Sequence, residues 1–176
     1  MKDKLFLADY QERPTASEVL LKDFGVSGNS VTVRAAGVSA KVTVSDAKSF
    51  SGHRLGVTVA FEIAPGWHIY GTPLPAEYTG TQIKFGDDLI QSESLTFPPS
   101  TPLKFEALDQ TLPVYTGSFK AVGDILLKQQ LTPGDYNLTG TIKFQECNDT
   151  ECKIPQSVPF ALPLKIEPMV AAAPNT

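Results

Sequence analysis

Short segments of alternating apolar and polar residues run along this chain, and proline and glycine separate them. The clearest segment covers residues 55–63, where every second side chain is apolar. The residues on that apolar face are Leu55, Val57, Val59, Phe61 and Ile63. A period of two residues predicts a β-strand with this face in the core. Fourteen prolines and thirteen glycines break up the segments, a pattern typical of an all-β sandwich with a strand every ~8 to 12 residues.

A second alternating segment covers residues 136–145 and leads directly to Cys147. Its inward face is predicted to carry Tyr136, Leu138, Ile142 and Phe144. Further strands are expected at residues 39–45, 67–70, 81–85, 118–128 and 158–166. Turn signals such as Pro65-Gly66 and Pro133-Gly134 lie between them, so we predict antiparallel pairing of neighbouring strands.

The two ends of the chain differ from its middle. Residues 15–18 have the spacing of a helix capping box, and apolar residues follow at helical intervals. We therefore predict a short helix or an added arm within residues 1–30. Residues 168–176 have the alanine and proline composition of a linker, which indicates that another module follows in the parent protein. The domain itself is expected to span residues 31–167.

Length and charge narrow the class of function. A chain of 176 residues suits one domain. Its formal charge is -4, its pI is near 5.1, and lysine and arginine occur singly rather than in runs. These features argue against nucleic acid or an anionic membrane as the main partner, and favour a protein or a small molecule. No apolar stretch approaches the ~20 residues needed to span a bilayer.

Cys147 and Cys152 are the only cysteines, and four residues separate them. Both thiols lie in one loop, which can close into a disulfide or open into a dithiol if the Cα atoms approach to about 6 Å. A bridge across so short a loop contributes only about 2 kcal/mol. The pair fits an oxidising compartment, with a cytosolic redox site as the alternative. The spacing alone leaves open a structural bridge, redox exchange, a metal site and unpaired thiols.

Other candidate groups are few. A zinc site would need His53, His68 or carboxylates as further ligands, and none has finger-like spacing, so we predict no metal and no cofactor. His68 could act as a base, although a histidine on a strand beside Trp67 and Tyr70 is more often a packed residue. Residues 112–117 are either a turn between strands or a loop whose tyrosine covers a reactive group.

Three segments, in this order, resemble the N-terminal periplasmic domain of the thiol:disulfide interchange protein DsbD, a family also described as disulfide bond corrector domains. They are residues 63–70 (Ile-Ala-Pro-Gly-Trp-His-Ile-Tyr), residues 114–117 (Val-Tyr-Thr-Gly) and residues 144–152 (Phe-Gln-Glu-Cys-Asn-Asp-Thr-Glu-Cys) followed by Pro155. The resemblance spans residues 30–167. The third segment carries the family's active-site signature, and the other two are supportive.

The resemblance implies an immunoglobulin-like antiparallel β-sandwich in the periplasm of a bacterium. Its dithiol would relay reducing equivalents from a thioredoxin-like donor domain to periplasmic disulfide isomerases or cytochrome-maturation thioredoxins. Cys152 would be the attacking thiol and Cys147 the resolving one. A cap loop that shields the cysteines would consist of Val114, Tyr115, Thr116 and Gly117, with Tyr115 as its aromatic residue.

Six further residues are expected beside the cysteines: His68, Tyr70, Gln145, Asp149, Glu151 and Pro155. Acidic neighbours such as Asp149 and Glu151 would disfavour a thiolate by like-charge repulsion. We expect a monomer, tethered in the parent protein to a membrane electron-transfer domain. The competing hypothesis is a non-enzymatic immunoglobulin-like binding module, whose small disulfide only pins a loop and which recognises proteins through strand edges or end loops.

Overall fold

The computed structural model of the protein describes residues 29–106 and 109–168, and thirteen β-strands make up most of these ranges. The strands are β1 (Asn29–Ala35), β2 (Val38–Val44), β3 (Lys48–Ser49), β4 (Arg54–Ile63), β5 (His68–Tyr70), β6 (Gln82–Phe85), β7 (Ile90–Thr96), β8 (Thr101–Phe105), β9 (Gln110–Tyr115), β10 (Ser118–Leu127), β11 (Gly134–Phe144), β12 (Glu146–Cys147) and β13 (Gln156–Ile166). No helix long and apolar enough to cross a membrane occurs in these ranges.

The strands form two large sheets and one small sheet. The first large sheet has the order β1-β2-β4-β10-β7, and the second has the order β3-β13-β11-β6. Neighbouring strands pair antiparallel, except that β3 runs parallel to β13 over two residues. The predicted all-β fold, an immunoglobulin-like sandwich, is therefore confirmed.

The core lies between the two large sheets. Every second residue of β4, from Leu55 to Ile63, is at most 6% exposed, as its alternation predicts. Facing side chains come from the second sheet, and those of β11 and β13 are Leu138, Ile142, Phe144, Phe160, Leu162, Leu164 and Ile166. Tyr136 is only partly buried at the start of β11, where its ring packs on this cluster.

Several strands were not anticipated, and most of them are edge strands. β1 and β7 lie at the two edges of the first sheet, where a strand buries less apolar surface. β1 begins at Asn29, inside the 1–30 segment that was predicted to be an arm. The predicted helix near residues 15–24 lies outside the described residues. Residues 169–176 of the predicted linker lie outside them too.

A small third sheet, with the order β12-β5-β9-β8, positions the two cysteines at one end of the sandwich. Its registers place His68 opposite Cys147 and Tyr70 opposite Val114. Directly opposite residues share a face, so these four side chains lie together. We call the face of the small sheet that carries them the disulfide face. Ile69 lies on the other face, which packs against the main core.

Candidate active site

Cys147 and Cys152 form a disulfide with an S–S distance of 2.08 Å and a Cα–Cα distance of 4.0 Å. Their environments differ sharply. Cys147 ends β12 and is 0% exposed, whereas Cys152 belongs to an exposed stretch of chain. A thiol from another macromolecule can therefore approach the bond only from the side of Cys152.

The side chain of Asn148 organises the loop between the cysteines. Its Oδ1 atom accepts hydrogen bonds from the backbone N–H of Thr150 at 2.9 Å and of Glu151 at 2.8 Å, and from the Thr150 hydroxyl at 3.2 Å. The backbone N–H of Asn148 donates in turn to the Glu151 carbonyl at 2.9 Å. This is an Asx turn, which asparagine forms readily with the backbone two or three residues further on.

The base of the loop is tied to the surrounding strands. The Lys153 N–H donates to the Glu146 carbonyl at 2.8 Å. The Gln145 amide accepts from the Thr79 N–H at 3.1 Å and donates to the Lys153 carbonyl at 3.4 Å. The Lys153 ammonium also lies 4.8 Å from the Trp67 ring centroid. These contacts fix both ends of the loop, so the cysteines are held by more than their own bond.

Glu146 precedes Cys147 and, by strand alternation, faces away from the disulfide. It is 1% exposed, and its Oε1 atom accepts a hydrogen bond from the Gly37 N–H at 3.2 Å. The Oε2 atom is buried without a hydrogen-bond partner. Sequence reasoning missed this residue, because a lone glutamate in a turn-rich segment gives no signal of burial.

Tyr70 bridges the two sulfur atoms. The side chain is 0% exposed, and its hydroxyl oxygen lies 3.3 Å from Cys147 Sγ and 3.7 Å from Cys152 Sγ. Disulfide sulfurs carry no proton, so the hydroxyl is the donor. Burial, with a smaller contribution from Tyr78, raises the pKa of Tyr70 to about 12. The hydroxyl therefore keeps its proton at physiological pH.

His68 is buried beside the disulfide, at 3% exposure. Its ring packs edge-on against Phe105, with a centroid distance of 5.1 Å, and against Tyr70 at 6.0 Å. The Nε2 atom is buried without a hydrogen-bond partner. Burial lowers the pKa of His68 and outweighs the opposing attraction of the Asp149 carboxylate. The imidazole is therefore neutral near neutral pH.

A cleft of about 480 Å³ opens beside Cys152. It is lined by Tyr70, Lys104, Phe105, Glu106, Asn148, Asp149, Thr150, Glu151 and Cys152. Phe105 ends β8 and supplies the half-buried ring of one wall. Sequence reasoning missed Phe105, although Leu103 and Phe105 alternate before a turn at Asp109, which has a positive φ of 51°.

The segment predicted as the cap, residues 114–117, comprises the end of β9 and the turn that follows it. Val114 is a buried residue of β9, in the same apolar cluster as Cys147. Tyr115 points to the opposite face, where its hydroxyl donates to the Pro98 carbonyl at 2.8 Å and its ring stacks on Phe119 at 4.3 Å. Thr116 and Gly117 form the exposed turn before β10. Lys104 and Phe105 at the end of β8, with Glu106 just after it, contribute to the walls of the cleft.

The remaining predicted residues lie around the rim. Asp149 and Glu151 are exposed members of the loop, and Pro155 is exposed just before β13. Lys104 and Glu106 add one charge of each sign from the hairpin. Among residues 29–106 and 109–168, no group of three or more His, Cys, Asp or Glu side chains could hold a metal ion.

The fold and the site together define an immunoglobulin-like domain with a disulfide, half buried and half exposed, in a loop at one end. The sequence model of the family described as "Thiol:disulfide interchange protein DsbD, N-terminal" matches residues 39–163. The chain therefore belongs to this family, and a close cysteine pair in this setting supports thiol–disulfide exchange as its general chemistry. No curated protein matches the chain significantly.

Two solved structures are similar to this chain. The N-terminal periplasmic domain of ScsB from Proteus mirabilis is 13% identical, with a TM-score of 0.57, and the match covers 80% of this chain and 52% of that one. The chain thus spans about half of that structure, and the likeness supports the fold alone. The DsbD N-terminal domain of Neisseria meningitidis, in its reduced form, is 15% identical with a TM-score of 0.42, covering 87% of this chain and 100% of that one.

Proposed function

We propose that the domain relays reducing equivalents through Cys147 and Cys152, from a thioredoxin-like donor to periplasmic proteins that contain disulfides. One observation carries this proposal: the disulfide joins an exposed cysteine to a fully buried one, inside a hydrogen-bonded loop beside a cleft. That arrangement offers a partner one sulfur atom to attack and keeps the other in reserve.

In the reductive half of the cycle, a donor thiolate attacks Cys152 Sγ. A mixed disulfide forms, the Cys147–Cys152 bond breaks, and its electron pair leaves on Cys147 Sγ. The Tyr70 hydroxyl, 3.3 Å away, donates a hydrogen bond to this buried leaving group. The donor's second thiolate then attacks the donor's sulfur in the mixed disulfide, which releases the reduced domain and the oxidised donor.

In the oxidative half, the Cys152 thiolate attacks an acceptor disulfide and forms a second mixed disulfide. Cys147 then attacks Cys152 Sγ, which restores the intramolecular bond and releases the acceptor as a dithiol. Two electrons pass to the acceptor in each cycle. Cys152 is thus the attacking residue and Cys147 the resolving residue.

Access to the site involves the β8–β9 hairpin. Phe105 and the loop line opposite parts of one cleft, and a partner protein needs room for its own active-site segment around the attacking sulfur. We therefore expect the Phe105 side chain to move aside when a partner docks. In this proposal Phe105 has the shielding role that the family resemblance implies for residues 114–117.

The partners follow from the family and the chemistry. Donor and acceptor are thioredoxin-like domains, with periplasmic disulfide isomerases and cytochrome-maturation thioredoxins as acceptors. The parent protein carries a membrane electron-transfer domain that supplies the donor. The periplasm fits a bond that must cycle in an oxidising compartment, and the similar ScsB domain is itself described as periplasmic.

A trapping experiment tests the assignment of roles. With Cys147→Ser, the remaining Cys152 attacks a thioredoxin-like protein but cannot be released by its neighbour, so a stable mixed disulfide is expected on a non-reducing gel. With Cys152→Ser, far less complex is expected, because Cys147 is buried. Equal trapping by the two variants would contradict the assignment.

A reduction potential separates the proposed relay from the alternative, a binding module with a structural disulfide. Structural bridges typically have potentials below about -300 mV, whereas exchanging bridges are more oxidising. We expect a value above that limit, together with reduction by a thioredoxin-like donor. A potential well below it, and no reaction with the donor, would favour the binding module.

A further inference from the structure

We propose that His68 is the base that removes the thiol proton of Cys147 when Cys147 resolves the mixed disulfide. This inference rests on the proposed exchange function and deepens it, because it assigns the proton transfer that the resolving step requires. It comes from the placement of an imidazole with an unpartnered nitrogen beside a buried sulfur.

The register of the small sheet puts the two side chains together. His68 in β5 is the direct cross-strand partner of Cys147 in β12, and the Cβ atoms of such a pair lie about 4.5 to 5.5 Å apart on one face. Tyr70 lies two residues further along the same face and contacts Cys147 Sγ through its hydroxyl. His68 and Tyr70 therefore share the face of the small sheet that carries the resolving sulfur.

Cys147 needs such a base because solvent does not reach it. It is 0% exposed, and an ordinary cysteine with a pKa of about 8.5 is mostly protonated at neutral pH. A thiol in apolar surroundings is harder still to ionise. Tyr70 cannot serve, since its pKa of about 12 makes it a hydrogen-bond donor in this range. Of the groups adjacent to Cys147 on this face, the imidazole is the one suited to accept a proton.

The imidazole is also available for this role. Its Nε2 atom is buried without a partner, although buried polar atoms are nearly always hydrogen-bonded. A neutral imidazole has one nitrogen that accepts and one that donates. Because burial keeps His68 neutral near pH 7, its accepting nitrogen is free when the resolving step occurs.

The charged groups near His68 favour proton transfer from Cys147 to the imidazole. Besides Asp149, titratable groups lie on the elements packed against His68. They are Tyr70 and Cys147 in the small sheet, Lys104 and Glu106 on either side of Phe105, and Tyr78 against the Tyr70 ring. The Asp149 carboxylate is the group whose field favours the charged form of His68. It would stabilise the imidazolium that exists briefly after transfer.

The Cys147 thiol proton passes to His68, and the resulting Cys147 thiolate attacks Cys152 Sγ. The Cys147–Cys152 bond forms, the bond from Cys152 to the acceptor sulfur breaks, and its electron pair leaves on the acceptor as a thiolate. The imidazolium then returns its proton to solvent as the cleft opens.

The test uses the reduced domain and a small aromatic disulfide whose released thiolate is coloured. Attack by Cys152 releases one coloured thiolate, and resolution by Cys147 releases a second, so the two steps appear as two phases. We expect His68→Phe, which keeps an aromatic ring against Phe105 and Tyr70, to slow the second phase about 100-fold and leave the first unchanged. His53→Phe is the matched control, because His53 is the other histidine of the chain and is exposed.

The pH profile adds a signature that a purely structural role would not produce. In the wild type, the rate of the second phase should be nearly constant between about pH 7 and 8, because the base is already neutral there. In His68→Phe, resolution must rely on the small fraction of free Cys147 thiolate. Its rate should therefore rise about tenfold per pH unit across the same range, which lies below the pKa of an ordinary thiol.

A second phase of wild-type rate and pH profile in His68→Phe would overturn the inference. If that variant loses its first phase through misfolding, His68→Gln, which is polar and cannot act as a base, should show the slow second phase instead, and a fast one would again overturn the inference. The small disulfide needs no partner protein, so a wild type with two normal phases that ignores thioredoxin-like donors would refute the relay and leave the base assignment standing.

Discussion

The hydroxyl of Tyr70 lies 3.3 Å from the sulfur of Cys147, and neither side chain is exposed to solvent. When the disulfide opens, negative charge develops on a sulfur that water does not reach. A hydrogen bond to a charged group contributes more to stability than one between neutral groups. The geometry therefore favours the opening of the bond towards a Cys147 thiolate.

Tyr70→Phe should slow reduction of the disulfide. The phenyl ring keeps the packing of Tyr70, while the loss of one hydrogen bond to a charged leaving group, about 1.5 to 3 kcal/mol, corresponds to a fall of roughly 10- to 100-fold in rate. Stopped-flow reduction by dithiothreitol measures the effect. Tyr136→Phe is the control, because its hydroxyl bonds to the Thr132 carbonyl at an exposed site. Equal rates for both variants would contradict this role of Tyr70.

Phe105→Ala should speed the attack of thiols on Cys152. The ring forms part of the cleft wall and packs on His68, so its removal widens the approach to the disulfide. Reduction by glutathione, followed at a fixed concentration, should be several-fold faster than in the wild type. Tyr115→Phe should react at the wild-type rate, since Tyr115 lies on the opposite face of the small sheet. If only Tyr115→Phe were reduced faster than the wild type, residues 114–117 and not Phe105 would shield the disulfide.

Asn148→Ala should shift the equilibrium from disulfide towards dithiol. The substitution removes three hydrogen bonds that hold the loop closed, so the two sulfurs meet less often in the reduced state. A loss of about 1.4 kcal/mol would change the equilibrium constant with glutathione tenfold. Asn148→Asp keeps an acceptor oxygen and should stay close to the wild type. A variant Asn148→Ala with the wild-type constant would mean that the turn does not tune the bond.

Stability of the oxidised domain should fall as the pH drops below about 6.5. The pKa of His68 is lowered in the folded state, so the unfolded chain takes up a proton that the folded one resists. The loss of folding stability begins as the pH falls below the pKa of His68 in the unfolded chain. It stops growing once the pH is below the pKa of His68 in the folded domain. Urea midpoints measured across this window should decline less in His68→Phe than in the wild type. His53→Phe should decline like the wild type, and identical slopes for all three proteins would refute the assignment.

The elements that sequence patterns predicted well are those with a fully buried face. Residues 55–63 and 136–145 became β4 and β11, because a strand at the centre of a sandwich must place apolar side chains at every second position. β1 is short, and its inward residues Val31, Val33 and Ala35 are only partly buried. β7 has polar residues at most of its positions, so neither strand shows the long apolar face of β4. The two-residue strands β3 and β12 are too short for any periodicity.

The sequence predicted the reactive residues of the site, but it did not predict that Phe105 lines the cleft beside them. The two cysteines lie close together in the sequence. The family resemblance connects them with the segment that contains Tyr70. Phe105 comes from a hairpin some forty residues before the cysteines, and only strand pairing brings it to the cleft. The family resemblance implied a cap whose aromatic residue is Tyr115. In the structure it continues β9.

By itself, the sequence determined the fold class, the single cysteine pair and the loop that carries it, since residue type and local spacing set alternation, turns and thiol content. The tertiary structure decided which sulfur is exposed and which groups surround the bond. Those properties depend on which strands become neighbours and on which face each side chain lies. In a β-sheet, one residue of register moves a side chain to the opposite face, and so it was the pairing of β5 with β12 and β9 that placed His68 and Tyr70 at the disulfide and turned Tyr115 away from it.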